Sequence, residues 1–253
     1  MRRIALVIEY DGTNYVGWQV QPNGTAVQEV LDDAFYKLIG ERPTLHASGR
    51  TDSGVHARAQ VAHFDTESRI PADKVCYALN TRLPADIRVK ASFEVSPDFH
   101  ARFSVKEKHY EYAINNAPHA CAFTRNTALH IHSPLDIIRL KEAASYFLGE
   151  HDFNAFKSSG SKASSTVRTV FESDWRRDGH YLLYHVAGSG FLYNMVRIMV
   201  GTMIRVGQGL ESPELIKNAL LNPMRDNAGD TAPAHGLTLY RVVYDEFDTE
   251  SYM

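Results

Sequence analysis

Pro43-Thr44-Leu45-His46-Ala47-Ser48-Gly49-Arg50-Thr51-Asp52-Ser53-Gly54-Val55-His56-Ala57-Arg58-Ala59-Gln60-Val61-Ala62-His63-Phe64 reads as strand, glycine-bounded loop and strand. On the far side of the loop, Gln60, Ala62 and Phe64 share one strand face and Ala59, Val61 and His63 the other. The loop holds Arg50 and Asp52 two residues apart between Gly49 and Gly54. Glycine admits positive φ, and Asp and Ser bond nearby backbone, so the same residues also suit an ordinary turn. The chain on either side decides between a turn and a site.

Before this stretch, Ile4, Leu6, Ile8 and Tyr10 alternate with Ala5, Val7 and Glu9, the period of a strand. Thr25 with Gln28 three residues on has the capping-box spacing. Val27, Val30, Leu31, Ala34, Phe35 and Leu38 then make a helical stripe that Gly40 stops. After it, 71–80 predicts a short helix and 87–95 a strand, completing β-α-β-β-α-β. The second half repeats that order. Tyr110, Tyr112 and Ile114 share a strand face. Ser133, Pro134 and Asp136 open a helix whose inner stripe is Ile137, Leu140, Ala144, Phe147 and Leu148. Strands follow at 167–175 and 181–187, helices at 191–206 and 213–221, and a strand at 238–247. Two such units predict an α+β protein of two ferredoxin-like (RRM-like) halves, 1–104 and 105–253, with a largely antiparallel mixed sheet and a central active-site cleft.

A chain of 253 residues, 44% hydrophobic, buries a substantial core and is not disordered. Cys76 and Cys121 form no Cys-x-x-Cys pair, which fits a reducing, cytoplasmic setting and argues against a disulfide framework. No secretory leader and no membrane-spanning apolar run is read. A net charge of −3 announces no nucleic-acid binder. The charge is uneven, however. Acids crowd at Asp32-Asp33 and in 245–250, whereas 156–170 carries Lys157, Lys162 and Arg168 with no acid. Its Ser- and Gly-rich centre suits an arm that contacts phosphates, or a solvated loop.

In 191–206, apolar residues occupy nearly every side, marking a helix buried all round with Arg197 in its middle. Burying a guanidinium costs several kcal/mol unless a carboxylate answers it, by about that order. Asp52 or another acid is expected there.

Gly49-Arg50-Thr51-Asp52-Ser53-Gly54-Val55-His56-Ala57 closely resembles the catalytic motif of the TruA-type tRNA pseudouridine synthases, many of which carry alanine in place of Ser53. Tyr10-Asp11-Gly12-Thr13 with Gly17-Trp18-Gln19 and Gln21, and Phe99-His100-Ala101-Arg102-Phe103 with Tyr110 and Tyr112, resemble two further family motifs. So do Gly190 to Arg197 with Gly201, and Ala234-His235-Gly236-Leu237. The resemblance spans almost the whole chain, in order. It implies a homodimeric isomerase that converts uridines 38, 39 and 40 of the tRNA anticodon arm to pseudouridine, without metal or organic cofactor. Asp52 is then the nucleophile, attacking C1′ of the ribose or C6 of the ring. Arg50 fills the space left by the flipped uridine, Tyr110 stacks on the base and takes the C5 proton, and Leu237 lines the pocket.

Asp52-Ser53-Gly54 also matches an aspartic-protease signature, but that chemistry needs a second such carboxylate, and no second Asp-Ser/Thr-Gly occurs. A non-catalytic RNA-binding protein would explain the basic loop but not a pairing of Asp52 with Arg197. The spacing of His46, His56 and His63 suits no common zinc helix motif.

Overall fold

The computed structural model describes residues 1–160 and 164–253. The chain divides into two compact units, 1–106 with 238–253, and 107–237. The division after 106 lies close to the boundary expected from sequence. The last strand differs, because 238–253 groups with the first unit and not the second. A period-2 pattern announces a strand without saying what it pairs with.

In the first unit, β1 (Arg2–Tyr10) is followed by α1 (Val27–Ile39), the two-residue β2 (His46–Ala47), β3 (His56–Thr66), α2 (Val75–Asn80) and β4 (Ile87–Val95). β1 lies between β4 and β3, antiparallel to both. β2 pairs antiparallel with His63 and Ala62 of β3. The order β4-β1-β3-β2 is that of a ferredoxin-like sheet, with an α-helix in each connection between β1 and β2 and between β3 and β4. Ile4, Ala5, Leu6, Val7 and Ile8 are all fully buried, so β1 is covered on both faces. α1 lays Phe35 edge-on against Phe64 of β3, ring centroids 4.7 Å apart. The helix begins two residues later than Thr25, with Ala26 as its cap. Glu29 reaches back to the Ala26 N–H at 3.4 Å, and Ala26 has no side-chain acceptor to complete the box. Gly40 closes the helix at φ 78, a conformation that costs glycine least.

The opposite face of β3 buries His63, 2% exposed. Its Nδ1 accepts from the Ala101 N–H at 3.1 Å, and its ring lies 4.9 Å from that of His46 and 4.8 Å from that of His100. Burial, with the neighbouring imidazoles, pushes its pKa down to about 4 from an ordinary 6.5. The stability contributed by this neutral ring is complete above the unfolded value. It is lost as pH falls from about 6.5 towards 4, because the unfolded chain takes up the proton first. The advantage in Tm of the natural chain over His63→Gln is therefore expected to shrink between pH 7 and pH 4.5. A gap independent of pH would contradict this account.

The second unit contains β5 (Val105–Asn115), which begins in the first, then β6 (Leu129–His130), α3 (Ile137–Ser145), β7 (Gly149–Asp152), β8 (Val167–Asp178), β9 (Tyr181–Gly188), α4 (Met195–Gly207) and α5 (Glu214–Leu221). β10 (Leu237–Tyr244) follows, with Thr238 and Leu239 parallel to His56 and Ala57 of β3 in the first unit. β5, β9, β8 and β7 form an antiparallel run in that order, and β6 adds parallel to β5. α3 starts at Ile137 and not at Pro134, because Asp136 caps it, accepting from the Ile138 and Arg139 N–H groups. Leu148, expected inside, is 44% exposed, since the helix has ended before it. α3 and α4 cover this sheet. Ser173 of β8 donates to the Ala144 carbonyl at 2.8 Å, and Trp175 Nε1 donates to the Met203 thioether Sδ at 3.2 Å. Trp175, Tyr184, Phe147, Phe153 and Phe156 fill the core between them.

Candidate active site

The loop between β2 and β3 is held from below by β1 and the chain that follows it. The Tyr10 hydroxyl, its pKa pushed up to about 12 by burial, lies 2.8 Å from Thr51 Oγ1. The Trp18 N–H donates to the Thr51 carbonyl at 3.1 Å. The Tyr15 carbonyl accepts from the Gly54 N–H at 3.2 Å and from Ser53 Oγ at 3.3 Å, while the Tyr15 hydroxyl donates to Asp86 at 2.7 Å. The loop's entry is fixed by Gln60, whose Nε2 donates to the Gly49 carbonyl at 2.9 Å and whose Oε1 accepts from Ser48 at 2.6 Å. Within the loop the Val55 N–H closes a turn on the Asp52 carbonyl at 3.1 Å. Thr51 and Val55 are buried on either side, Asp52 is half-buried and Arg50 is exposed. The backbone is thus tied on both sides of Asp52, and its carboxylate is presented from a braced turn.

Gly17 makes this bracing possible. Its φ of +106 suits glycine, and a Cβ there would stand 2.5 Å from the Thr51 carbonyl oxygen. Gly17→Ala is expected to cost about 1–3 kcal/mol for the backbone conformation alone. It should also lower turnover beyond the loss of folded protein, because the displaced atoms belong to Thr51. Urea midpoints and turnover measured beside Gly179→Ala, where φ is +57 and the space is open, separate the two effects. Equal losses of activity in both variants would remove Gly17 from the site.

In the second unit, Tyr110 on β5 is 9% exposed and meets the Phe191 ring edge to face at 5.2 Å. Tyr112, on the same strand face, is fully buried. Its hydroxyl donates to the Pro233 carbonyl at 2.8 Å, and a Cβ at Gly236 would come within 2.5 Å of its ring. This close approach seats the turn Ala234–Gly236, from which Leu237 emerges 5% exposed. Arg197 on α4 is half-buried. Its Nε donates to the Ala232 carbonyl at 2.7 Å and its Nη1 to Asn194 Oδ1 at 2.9 Å, while its own carbonyl accepts from the Ala232 N–H at 3.1 Å. The guanidinium therefore latches the 232–237 segment to α4 through neutral acceptors, a role that its place in a sequence does not disclose. Asn194 stands at φ 61 and donates to Ser158 Oγ at 2.9 Å, tying the same corner to the start of the basic stretch.

Lys157 and Arg168 are half-buried. Arg168 Nη1 donates to the Ser165 and Val167 carbonyls at 3.0 and 2.6 Å, bracing the chain that leads into β8. Lys162 lies outside the described residues. Asp52 and Arg50 thus belong to the first unit, and Tyr110, Arg197, Lys157, Arg168 and Leu237 to the second. Sequence reading missed Gln60, Thr51 and Asn194, which touch the candidate residues or their loops. Thr51 and Asn194 lie within stretches that resemble family motifs, and Gln60 is a polar residue beside Ala62 and Phe64 on its strand face.

A family model described as tRNA pseudouridine synthase matches residues 6–104 and 143–245. The chain belongs to the tRNA pseudouridine synthase family. Among relatives in the family, the tRNA pseudouridine synthase A of Ruminiclostridium cellulolyticum is 49% identical over 96% of this chain and 100% of its own. That of Acetivibrio thermocellus is 48% identical over the same shares, and that of Thermoanaerobacter sp. 47%. A solved Cbf5-Nop10-Gar1 complex aligns with a TM-score of 0.35 and 13% identity, over 79% of this chain and 45% of that one. Among the described residues, no helix is long and apolar enough to cross a membrane.

Proposed function

We propose that the chain isomerises uridine to pseudouridine at positions 38, 39 and 40 of the tRNA anticodon arm, with Asp52 as the nucleophile, acting as a homodimer in the cytoplasm. The observation that carries this reading is the half-buried Asp52 on a turn tied at Thr51, Ser53 and Gly54. The braced backbone limits how far the carboxylate has to be reordered when it attacks. Family membership supplies the reaction.

The uridine must leave its stack, at a cost of a few kcal/mol, before its glycosidic bond can be reached. In this reading Arg50 enters the space it leaves, Tyr110 stacks on the uracil and removes the C5 proton, and Leu237 supplies an apolar wall. Arg197 is the cation that keeps Asp52 ionised. The carboxylate attacks C1′, displacing uracil through N1, or adds to C6 before the C1′–N1 bond breaks. Uracil turns over, C5 bonds to C1′ as the bond to Asp52 is released, the C5 proton leaves and N1 ends carrying a hydrogen. Lys157, Lys162 and Arg168 bind phosphates. The net charge of −3 leaves that task to a local patch.

Isomerisation leaves mass unchanged but releases the hydrogen at C5. The test is tritium release from tRNA labelled at uridine C5, using substrates in which 38, 39 and 40 are changed one at a time to cytidine. Loss of release in step with those changes supports the assignment. Release that is absent, or indifferent to all three, rejects it.

A further inference from the structure

β5, β9 and β8 lie side by side, and their register sets His109, His185 and Glu172 on one sheet face. His109 is 3% exposed, His185 half-buried and Glu172 exposed. His109 Nε2 stands 3.1 Å from Glu107 Oε2. The carboxylate can only accept, so Nε2 carries the hydrogen and Nδ1 presents its lone pair. That Nδ1 is 3.2 Å from His185 Nε2, which is itself 3.3 Å from Glu172 Oε2. The three ligating atoms lie within 4.8 Å of one another.

We infer that His109, His185 and Glu172 form a binding site for a divalent transition metal ion such as zinc. Ligands held about 2.0–2.1 Å from a tetrahedral centre stand about 3.3–3.4 Å apart, close to the two edges seen here. Two imidazoles and one carboxylate suit zinc or cobalt, whereas magnesium and calcium favour oxygen ligands. Glu107 occupies the place of the outer carboxylate that orients a ligating imidazole and fixes its tautomer. Without a metal, one hydrogen on His185 Nε2 serves both His109 Nδ1 and Glu172. Metal replaces it, and the imidazole carries its hydrogen on Nδ1 instead.

The site clamps three strands from the face opposite Tyr110, because neighbouring strand residues point to opposite sides. It takes no part in the proposed reaction. Its role is to hold the sheet that carries Tyr110. Nothing in the spacing of His109, Glu172 and His185 signals it, since each comes from a different strand and the sheet register alone brings them together.

The experiment uses the full chain, stripped with a chelator and titrated with Zn²⁺ by calorimetry, with Co²⁺ absorption as a report on geometry. One Zn²⁺ per chain is expected, with intense tetrahedral cobalt bands and a higher Tm in the presence of metal. Glu107→Gln should weaken binding by about 10–100-fold. His185→Gln and Glu172→Gln should weaken it at least as much. Glu172 is exposed, so its variant tests the site without threatening the fold, which circular dichroism of the metal-free variants verifies. No saturation at one ion, or an affinity in His185→Gln and Glu172→Gln equal to that of the natural chain, would overturn the assignment.

Discussion

Asp52→Asn is expected to fold, to bind tRNA, and to lose turnover by roughly 10⁴–10⁶-fold, the scale seen when an enzyme loses its nucleophile. Asparagine keeps the size of the side chain and one acceptor oxygen, but a neutral amide does not attack carbon. The bracing contacts around it come from the Thr51 carbonyl and hydroxyl, the Ser53 hydroxyl and the Gly54 N–H, so the turn survives the change. Asp52→Ala should behave alike in turnover. Single-turnover tritium release with saturating enzyme separates a chemical defect from weak binding. Activity near that of the natural chain in either variant would reject Asp52 as the nucleophile.

The parts of this architecture legible in sequence are those that a local period dictates. β4 spans Ile87–Val95, the same residues that alternation picks out, because both its ends coincide with a change of pattern. α4 was legible as a buried helix, and only Arg205 among its residues is exposed. Its start was not. The apolar run begins at Phe191, but Asn194 turns the chain at φ 61 and the helix begins at Met195. Side-chain pattern registers burial, whereas a single left-handed residue is a backbone event with little trace in hydropathy. The grouping of 238–253 with the first unit has a related cause, since β10 pairs with residues of β3 far away in the chain, Thr238 with His56 and Leu239 with Ala57.

The candidate site divides along the same line. Asp52, Arg50 and Tyr110 stand in motifs whose resemblance to the family marks them directly. Gly17 is present in one of those motifs, yet its contact with Thr51 depends on two loops meeting. Gln60 and Asn194 are polar groups whose partners are backbone or side-chain atoms elsewhere in the chain. Such hydrogen bonds leave no periodicity to read, and buried polar groups nevertheless need them.

Arg197 separates two roles for one guanidinium. As a half-buried cation it is expected to keep the proposed nucleophile ionised; as a latch it holds Ala232 and Asn194. The sequence alone suggests that Arg197→Met folds at least as well as the natural chain, because it removes a buried charge. The geometry reverses that expectation. Methionine leaves the Ala232 carbonyl and Asn194 Oδ1 without these donors, a loss of about 1–3 kcal/mol if water does not replace them. Arg197→Lys keeps the charge but not the fork that reaches both acceptors, and turnover is expected to fall roughly 10²–10³-fold, as on loss of one preorganised donor. The pH dependence of kcat/KM tells the roles apart. If Arg197 holds Asp52 as a carboxylate, the acidic limb moves to higher pH in Arg197→Met, since the proton is then easier to retain, and moves less in Arg197→Lys. If Arg197 acts only as a latch, both variants lose rate with the limb unmoved, and restoring the 232–237 segment by another route restores activity. An unmoved limb in Arg197→Met therefore removes the charge-partner role while leaving Asp52 as the nucleophile.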